Sequence, residues 1–266
     1  MITDLLLCTP TYFDIEYSIN AWMDLNNKVN KARALEQWNH FIEVLESLNV
    51  KVQVIDGAPG LPDMTFAGDC GCAFDGTFLA SNFKHRERQP EREHYVQWMI
   101  KHGYNVVELP NNLLFEGLGD IIYSDNKIVF GYGPRSSKEC LDWIKSTFPQ
   151  VEVLAEVKIK DDTFFHLAMA AGMLDAKTII YYPPAFSVED QKIIQRAFPN
   201  ALAAGEEDAR EHFVCNNVVI GRTVLLHDCT KEFELKLKNL DFNVVRCDVS
   251  EFKKSGASLR CLVLNI

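Results

Sequence analysis

The feature that most limits what this chain can fold into is a repeat. Residues 65–74 and 77–82 read as two strands around Asp75-Gly76, a dipeptide suited to a tight hairpin turn. A helical pattern over 91–102, ended by Gly103, and a strand over 105–109 follow. The order then returns as strands 119–124 and 127–131, helix 137–148 and strand 151–157. It returns again as strands 164–173 and 178–182, helix 188–198 and strand 201–204. A last pass has strands 213–220 and 223–227, helix 231–240 and strand 243–248. Ahead of all these lie a short apolar strand at 5–9, a helix at 28–48 and a β-branched strand at 50–55. That first helix is amphipathic: Val29, Ala32, Leu35, Trp38, Phe41, Val44, Leu45 and Leu48 recur at threes and fours.

The apolar run 258–266 follows the small-residue turn Ser255-Gly256-Ala257 and carries Cys261. Unpaired termini fray, so this run is expected to pair with 5–9 and supply the hairpin that the first helix and strand lack. Five ββαβ units at a spacing of roughly 45–50 residues mark a radial or solenoid array. Because the two ends complete one unit between them, the expected α/β fold is a closed five-fold pseudosymmetric propeller. It forms one domain over residues 1–266, with no linker.

Composition narrows the function. A formal charge of −10 argues against nucleic acid, which needs a basic footprint, and suits a cationic small molecule. No apolar run approaches the length of a membrane span, and Asp4 interrupts a start too short for a signal peptide. Eight cysteines in 266 residues are too sparse for a disulfide framework. A cytoplasmic chain with reduced thiols is expected. Cys70-Gly71-Cys72 lacks the spacing of a zinc or redox pair, and Gly131-Tyr132-Gly133 lacks the third glycine of a dinucleotide fingerprint. No metal or cofactor is expected.

In a closed array the starts of the first strands converge. Those points carry Asp69, then Glu116 with Asp120, then His166, then Asn216, then Cys261. Each alone has a plain reading as a turn residue, a satisfied core histidine or a core thiol. Together they are hard to explain as core filling, because buried carboxylate, imidazole and amide are costly unless paired. The set favours a Cys–His–carboxylate nucleophilic site.

Seven stretches in order resemble the guanidine-modifying superfamily of the pentein fold, which includes arginine deiminases, dihydrolases, dimethylarginine dimethylaminohydrolases and amidinotransferases. They are Tyr17-Ser18-Ile19-Asn20-Ala21-Trp22-Met23, Leu61-Pro62-Asp63-Met64-Thr65-Phe66-Ala67-Gly68-Asp69 and Glu87-Arg88-Gln89-Pro90-Glu91. The others are Phe115-Glu116-Gly117-Leu118-Gly119-Asp120, Gly131-Tyr132-Gly133-Pro134-Arg135-Ser136, Phe165-His166-Leu167 and Arg260-Cys261-Leu262. The resemblance implies Cys261 as nucleophile on a guanidinium carbon, His166 as acid and base, and Glu116 as the group holding His166 and the substrate cation. It implies Asp69 as guanidinium clamp, with Asp120 also at the substrate, Arg88 and Arg135 for the substrate carboxylate, and Asn20 at its amino-acid end.

One departure matters. The second clamp, two residues after the histidine in most of the superfamily, is Ala168 here, while the dihydrolases' asparagine at the first clamp is Asp69. The resemblance therefore implies a C–N hydrolase acting on arginine or an N-substituted arginine. Amidino transfer to an amine acceptor, a non-catalytic binding role and a homo-oligomer stay open. The loop 83–90 and the His102-Gly103 turn are the expected moving parts.

Overall fold

The computed structural model describes residues 4–266. Strand β1 (Asp4–Cys8) leads to helix α1 (Lys31–Ser47) and strand β2 (Lys51–Ile55). Strands β3 (Gly71–Phe74) and β4 (Thr77–Ala80), helix α2 (Glu91–Lys101) and strand β5 (Asn105–Val107) follow. Next come β6 (Ile121–Ser124), β7 (Lys127–Tyr132), α3 (Cys140–Thr147) and β8 (Glu152–Lys158). A short helix α4 (Leu167–Ala170) precedes β9 (Ala171–Asp175), β10 (Thr178–Tyr181), α5 (Val188–Ala197) and β11 (Asn200–Ala203). The chain ends with β12 (Val218–Ile220), β13 (Thr223–Leu226), α6 (Lys231–Lys238), β14 (Asn243–Arg246), a short helix α7 (Ser250–Lys253) and β15 (Val263–Asn265).

The strands form five three-stranded sheets of one design: the middle strand pairs antiparallel with one neighbour and parallel with the other. The sheet that joins the two ends has the same design, with β15 antiparallel to β1 and β2 parallel to it. The expected pairing of 258–266 with 5–9 is present, with Leu6 opposite Leu264.

Local chemistry sets the element ends. The Asn30 side chain accepts from the Arg33 N–H and starts α1 three residues later than the apolar period suggested. Val29 is buried but lies outside the helix, which is why the period overran it. Asp75 and Gly76 both have positive φ, 49° and 74°, the geometry of a two-residue hairpin turn. The middle strands β1, β4, β7, β10 and β13 are buried nearly throughout, whereas β2, β11 and β14 keep exposed positions. A strand flanked on both sides and covered on both faces reads as a continuous apolar run.

Three apolar clusters tie successive units together. One joins Leu6 and Leu264 to Phe78, Tyr95, Ile128 and Phe148. A second joins Ile122 and Val129 to Ile179, Phe198, Val224 and Leu237. The third joins Val218, Ile220 and Leu225 to Leu5, Leu7 and Phe41.

The first strands are shorter than the sequence suggested. They begin at Gly71, Ile121, Ala171, Val218 and Val263, where starts at 65, 119, 164, 213 and 258 were expected. Each is preceded by a tight turn as buried as a strand: Phe66, Leu118, Leu167, Val214 and Leu259 are all 3% exposed or less. A short buried turn and a short buried strand give the same apolar run.

Candidate functional site

Those turns hold the polar residues. Asp69 lies in the turn Ala67–Cys70, Glu116 and Asp120 flank the turn Gly117–Gly119, and His166 is the N-cap of α4. Asn216 and Cys261 each sit two residues ahead of a first strand, β12 and β15. Cys261 is thus in the turn rather than at the head of the strand. Such turns can point a side chain across the sheet rather than along its faces. Their approach is close enough to demand glycine. Gly117 has φ 53°, and a Cβ there would come within 2.5 Å of the Gly71 carbonyl oxygen. A Cβ on Gly119 would meet the His166 ring at 2.8 Å.

The structure brings five of the eight expected site residues, Asp69, Arg88, Glu116, Arg135 and His166, together directly, and Asp120 joins them through Ser136 and the Leu167 N–H. Glu116 Oε2 lies 2.8 Å from His166 Nε2 and accepts from Arg135 Nη1 at 2.9 Å. Its Oε1 accepts from the Lys84 N–H. Asp69 Oδ2 accepts from Arg88 Nη1 at 2.7 Å, and Asp69 Oδ1 lies 3.7 Å from His166 Nδ1. The latter is too long for a hydrogen bond, and neither of those two buried atoms has another partner. Asp120 accepts from the Ser136 hydroxyl at 2.6 Å and the Leu167 N–H at 3.0 Å.

Cys261 Sγ accepts from Asn216 Nδ2 at 3.3 Å. The same amide fixes the turn, since Asn216 Oδ1 accepts the Ser258 and Arg260 N–H groups, both at 3.1 Å. Cys261, Asp69, Arg88, Arg135 and Asn20 line one small cavity of about 10 Å³, together with Asp63 and Phe165.

Several of the expected residues are already engaged by this chain's own groups. Asp120 does not line the closed cavity; its carboxylate accepts from Ser136 and from the turn carrying His166. Glu116 is fully buried behind the closed cavity, where it holds His166 and Arg135. Asn20 lines the cavity with its amide already engaged: Nδ2 donates to the Ser255 carbonyl and Oδ1 accepts from the Trp22 N–H. It clasps segment 19–23 to segment 255–257. Of the two expected moving parts, the 83–90 loop carries buried Arg88 and buried Phe83, and His102-Gly103 contributes nothing to the cavity wall. The cover comes from Ile19, Asn20, Met23 and residues 255–257.

Two carboxylates were missed as functional. Glu91 grips Arg88 through Nε and Nη2, at 3.0 and 2.9 Å. Its place three residues after Arg88, in the first turn of α2, was the available signal. Asp63 accepts from the Tyr17 hydroxyl at 3.0 Å, while its Oδ1 has no partner.

The electrostatics follow from burial. Five buried carboxylates (Asp63, Asp69, Glu91, Glu116, Asp120) surround two guanidiniums and one imidazole (Arg88, Arg135, His166). Burial alone would raise the Glu116 carboxyl, but the Arg135 charge and the His166 hydrogen bond hold it far below its usual range. Burial would lower His166, yet Asp69, Asp120 and Glu116 carry it above its ordinary value, so the imidazole favours its charged form. Burial pushes Asp120 up to about 6 and Glu91 up to about 8. For Cys261, burial and then the Asp69 charge push the thiol up to about 12, against the Asn216 hydrogen bond. The seven remaining cysteines are free and buried too. Among the described residues no cluster of three or more His, Cys, Asp or Glu could hold a metal ion, and no helix is long and apolar enough to cross a membrane.

Repeated small sheets in a mixed α/β fold, with thiol, imidazole and carboxylates gathered at their inner turns, define an enzyme of the guanidine-modifying class. The chain belongs to the family described as N,N dimethylarginine dimethylhydrolase, eukaryotic, which it matches over residues 9–266. It is 35% identical to an uncharacterised protein of Caenorhabditis elegans, covering 98% of this chain and 92% of that one. It is 33% identical to the N(G),N(G)-dimethylarginine dimethylaminohydrolase of Mycobacterium tuberculosis, over 97% of this chain and 83% of that one. It is also 31% identical to the bifunctional arginine dihydrolase/ornithine cyclodeaminase ArgZ of Synechocystis, over 98% of this chain but only 37% of ArgZ. The solved N-terminal domain of ArgZ superposes with a TM-score of 0.93 at 30% identity, covering 99% of this chain and 97% of that domain. That domain has been solved covalently bound to a reaction intermediate and, as a cysteine-to-serine variant, bound to substrate.

Proposed function

We propose that this chain is a hydrolase of the guanidinium group of arginine or an N-substituted arginine, working through a covalent adduct on Cys261. The observation that carries the reading is the pair of unsatisfied buried atoms, Asp69 Oδ1 and His166 Nδ1, 3.7 Å apart beside the cavity that Cys261 lines. A planar cation with several N–H donors satisfies such a carboxylate, and its charge favours the thiolate that burial otherwise opposes.

In this mechanism the guanidinium sits against Asp69. The Cys261 sulfur attacks the guanidinium carbon, and charged His166 gives a proton to the departing ammonia or alkylamine. An S-alkylthiouronium remains on Cys261. Neutral His166 then takes a proton from water as its oxygen attacks that carbon, and the sulfur leaves as thiolate. Glu116 holds the imidazole and stabilises its charged form. Arg88 and Arg135, each anchored by carboxylates of this chain, present their remaining N–H groups to the substrate carboxylate. Asp63 takes the α-ammonium.

A cavity of about 10 Å³ does not admit such a substrate, so segments 19–23 and 255–257 must part first. The same reading has the five units closing into a pentein propeller that forms one cofactor-independent catalytic domain. The contacts of Val218 and Leu225 with Leu5 and Leu7 support that closure. The reading further has the chain cytoplasmic, free of nucleic acid and membrane, and able to form homo-oligomers.

The test is amine release from arginine, monomethylarginine, asymmetric dimethylarginine and agmatine, with mass spectrometry of the amino-acid product. Alkylamine with citrulline, or ammonia with citrulline or ornithine, supports the reading. Silence on all four overturns it, and an amidino group appearing on an added amine would make the chain a transferase.

A further inference from the structure

A cavity of about 450 Å³ is separate from the one that Cys261 lines. It lies where hairpin tips gather: Asp75, Asp125 and Asp175 stand on its wall, and Ile122, Met173 and Val218 supply apolar surface. Its volume is that of a small-ligand site. Its most unusual wall residue is Arg260.

Three arginines of this chain are buried, Arg88, Arg135 and Arg260. The first two are held by carboxylates at 2.7 to 2.9 Å. Arg260, 7% exposed, has no carboxylate within ion-pair distance among the described residues. Its Nη1 donates to the neutral amide oxygen of Asn265, at 3.1 Å. Its guanidinium lies over the Tyr123 ring at 4.8 Å and interacts with that hydroxyl, but neither Nη2 nor the hydroxyl makes a well-formed hydrogen bond among the described residues. A buried guanidinium needs an anion, and a stacked arginine with spare N–H donors matches a carboxylate. On the same wall Asp175 is held by Arg222 Nη1 at 3.0 Å, whereas among the described residues Asp75 meets only the neutral Gln150 amide, at 2.9 Å, and keeps its charge for a ligand cation. Those chemistries meet in one small molecule.

We infer that this cavity is a second binding site, for an α-amino acid zwitterion, with the ligand carboxylate on Arg260 and its ammonium toward Asp75. Consecutive residues connect it to the nucleophile. Arg260 lines this cavity and Cys261 the other; Cys215 and Asn217 line this cavity, while Asn216 between them donates to Cys261 Sγ. Asn216 Oδ1 also accepts the Arg260 N–H. A ligand that shifts Arg260 therefore shifts the groups that set the Cys261 thiol.

The experiment is calorimetric titration of the whole chain with L-alanine, acetate and ethylammonium. L-alanine is expected to bind, acetate about tenfold or more weakly, and ethylammonium not measurably. Arg260→Gln should abolish alanine binding, and Asp75→Asn should weaken it severalfold. If Arg260→Gln does not fold, Tyr123→Phe and Asp75→Asn carry the test, both weakening alanine binding. Alanine carries no guanidinium, so this arm is independent of turnover. The coupling is read by iodoacetamide labelling of Cys261, located by mass spectrometry. Saturating alanine should change its rate at least about twofold in the wild type and leave it unchanged in Arg260→Gln. No alanine binding, binding unweakened in Arg260→Gln or Asp75→Asn, or acetate binding as tightly as alanine would overturn the site. An unchanged labelling rate would overturn the coupling.

Discussion

Removing Glu116 should cost more than any other single truncation around His166. Its Oε2 satisfies two charged donors, Arg135 Nη1 at 2.9 Å and His166 Nε2 at 2.8 Å, and its Oε1 a third, the Lys84 N–H. Glu116, His166 and Arg135 are all buried. Breaking a buried ion pair by deleting one partner leaves an uncompensated charge and costs about 3–5 kcal/mol. At roughly 2 °C per kcal/mol for a chain of this size, Glu116→Ala should melt about 6–10 °C lower.

Glu116→Gln should be milder. It keeps one oxygen for Arg135 and His166 but turns an NH₂ toward the Lys84 N–H, a donor against a donor, costing about 1–3 kcal/mol. Combining Glu116→Ala with Arg135→Met should recover part of the loss, because the orphaned guanidinium goes with its partner.

The pH dependence has a definite sign. The Glu116 carboxyl is depressed in the folded state, so its contribution is fully present above the unfolded value near 4.5 and is lost as pH falls through the lower folded value. The stability gap between wild type and Glu116→Ala, followed by urea unfolding, should therefore be widest at neutral pH and narrow below about 4.5. A loss under about 1 kcal/mol for Glu116→Ala, or a gap independent of pH, would refute the electrostatic reading of this network.

Other outcomes follow from the same geometry. His166→Ala and Cys261→Ser should each abolish turnover while far-ultraviolet circular dichroism stays unchanged; retained turnover in either contradicts the assigned roles. Asn216→Ala removes the hydrogen bond that lowers the Cys261 thiol and frees the Ser258 and Arg260 N–H groups. It should slow Cys261 alkylation at fixed pH and destabilise the chain by about 2 kcal/mol or more. With the thiol pushed up to about 12, iodoacetamide labelling of Cys261 without a ligand should keep rising with pH past 9, and a bound guanidinium compound should move that rise to lower pH. A labelling profile that levels off near 9 would show the burial effect to be absent.

Much of this architecture was legible because each ββαβ unit repeats three independent signals: a hairpin turn, an amphipathic helix and a β-branched strand. Asp75-Gly76 could be read directly, since few residue pairs adopt positive φ twice in succession. What could not be read was where each first strand begins. The turns around Phe66, Leu118 and Val214 are as buried as the strands they precede, and apolar patterning reports burial rather than backbone shape.

The site was legible as a set but not as a network. Asp69, Glu116, His166 and Cys261 stood out because polar residues at matching points of a repeat need a reason. Which carboxylate meets which cation depends on distances set by the turns. Asp120 and Glu116 sit four residues apart, yet one braces a backbone turn and the other an imidazole. Glu91 escaped notice because a glutamate in the first turn of a helix has an ordinary explanation, and only the structure turns it inward onto Arg88.

The most direct test of the central claim is to quench the wild-type reaction with arginine or a methylated arginine in acid within a turnover and map the peptides by mass spectrometry. The account expects the peptide containing Cys261, and no other cysteine peptide, to carry the substrate less its departing amine. Turnover with every cysteine peptide unmodified, or an adduct on another cysteine, would contradict it.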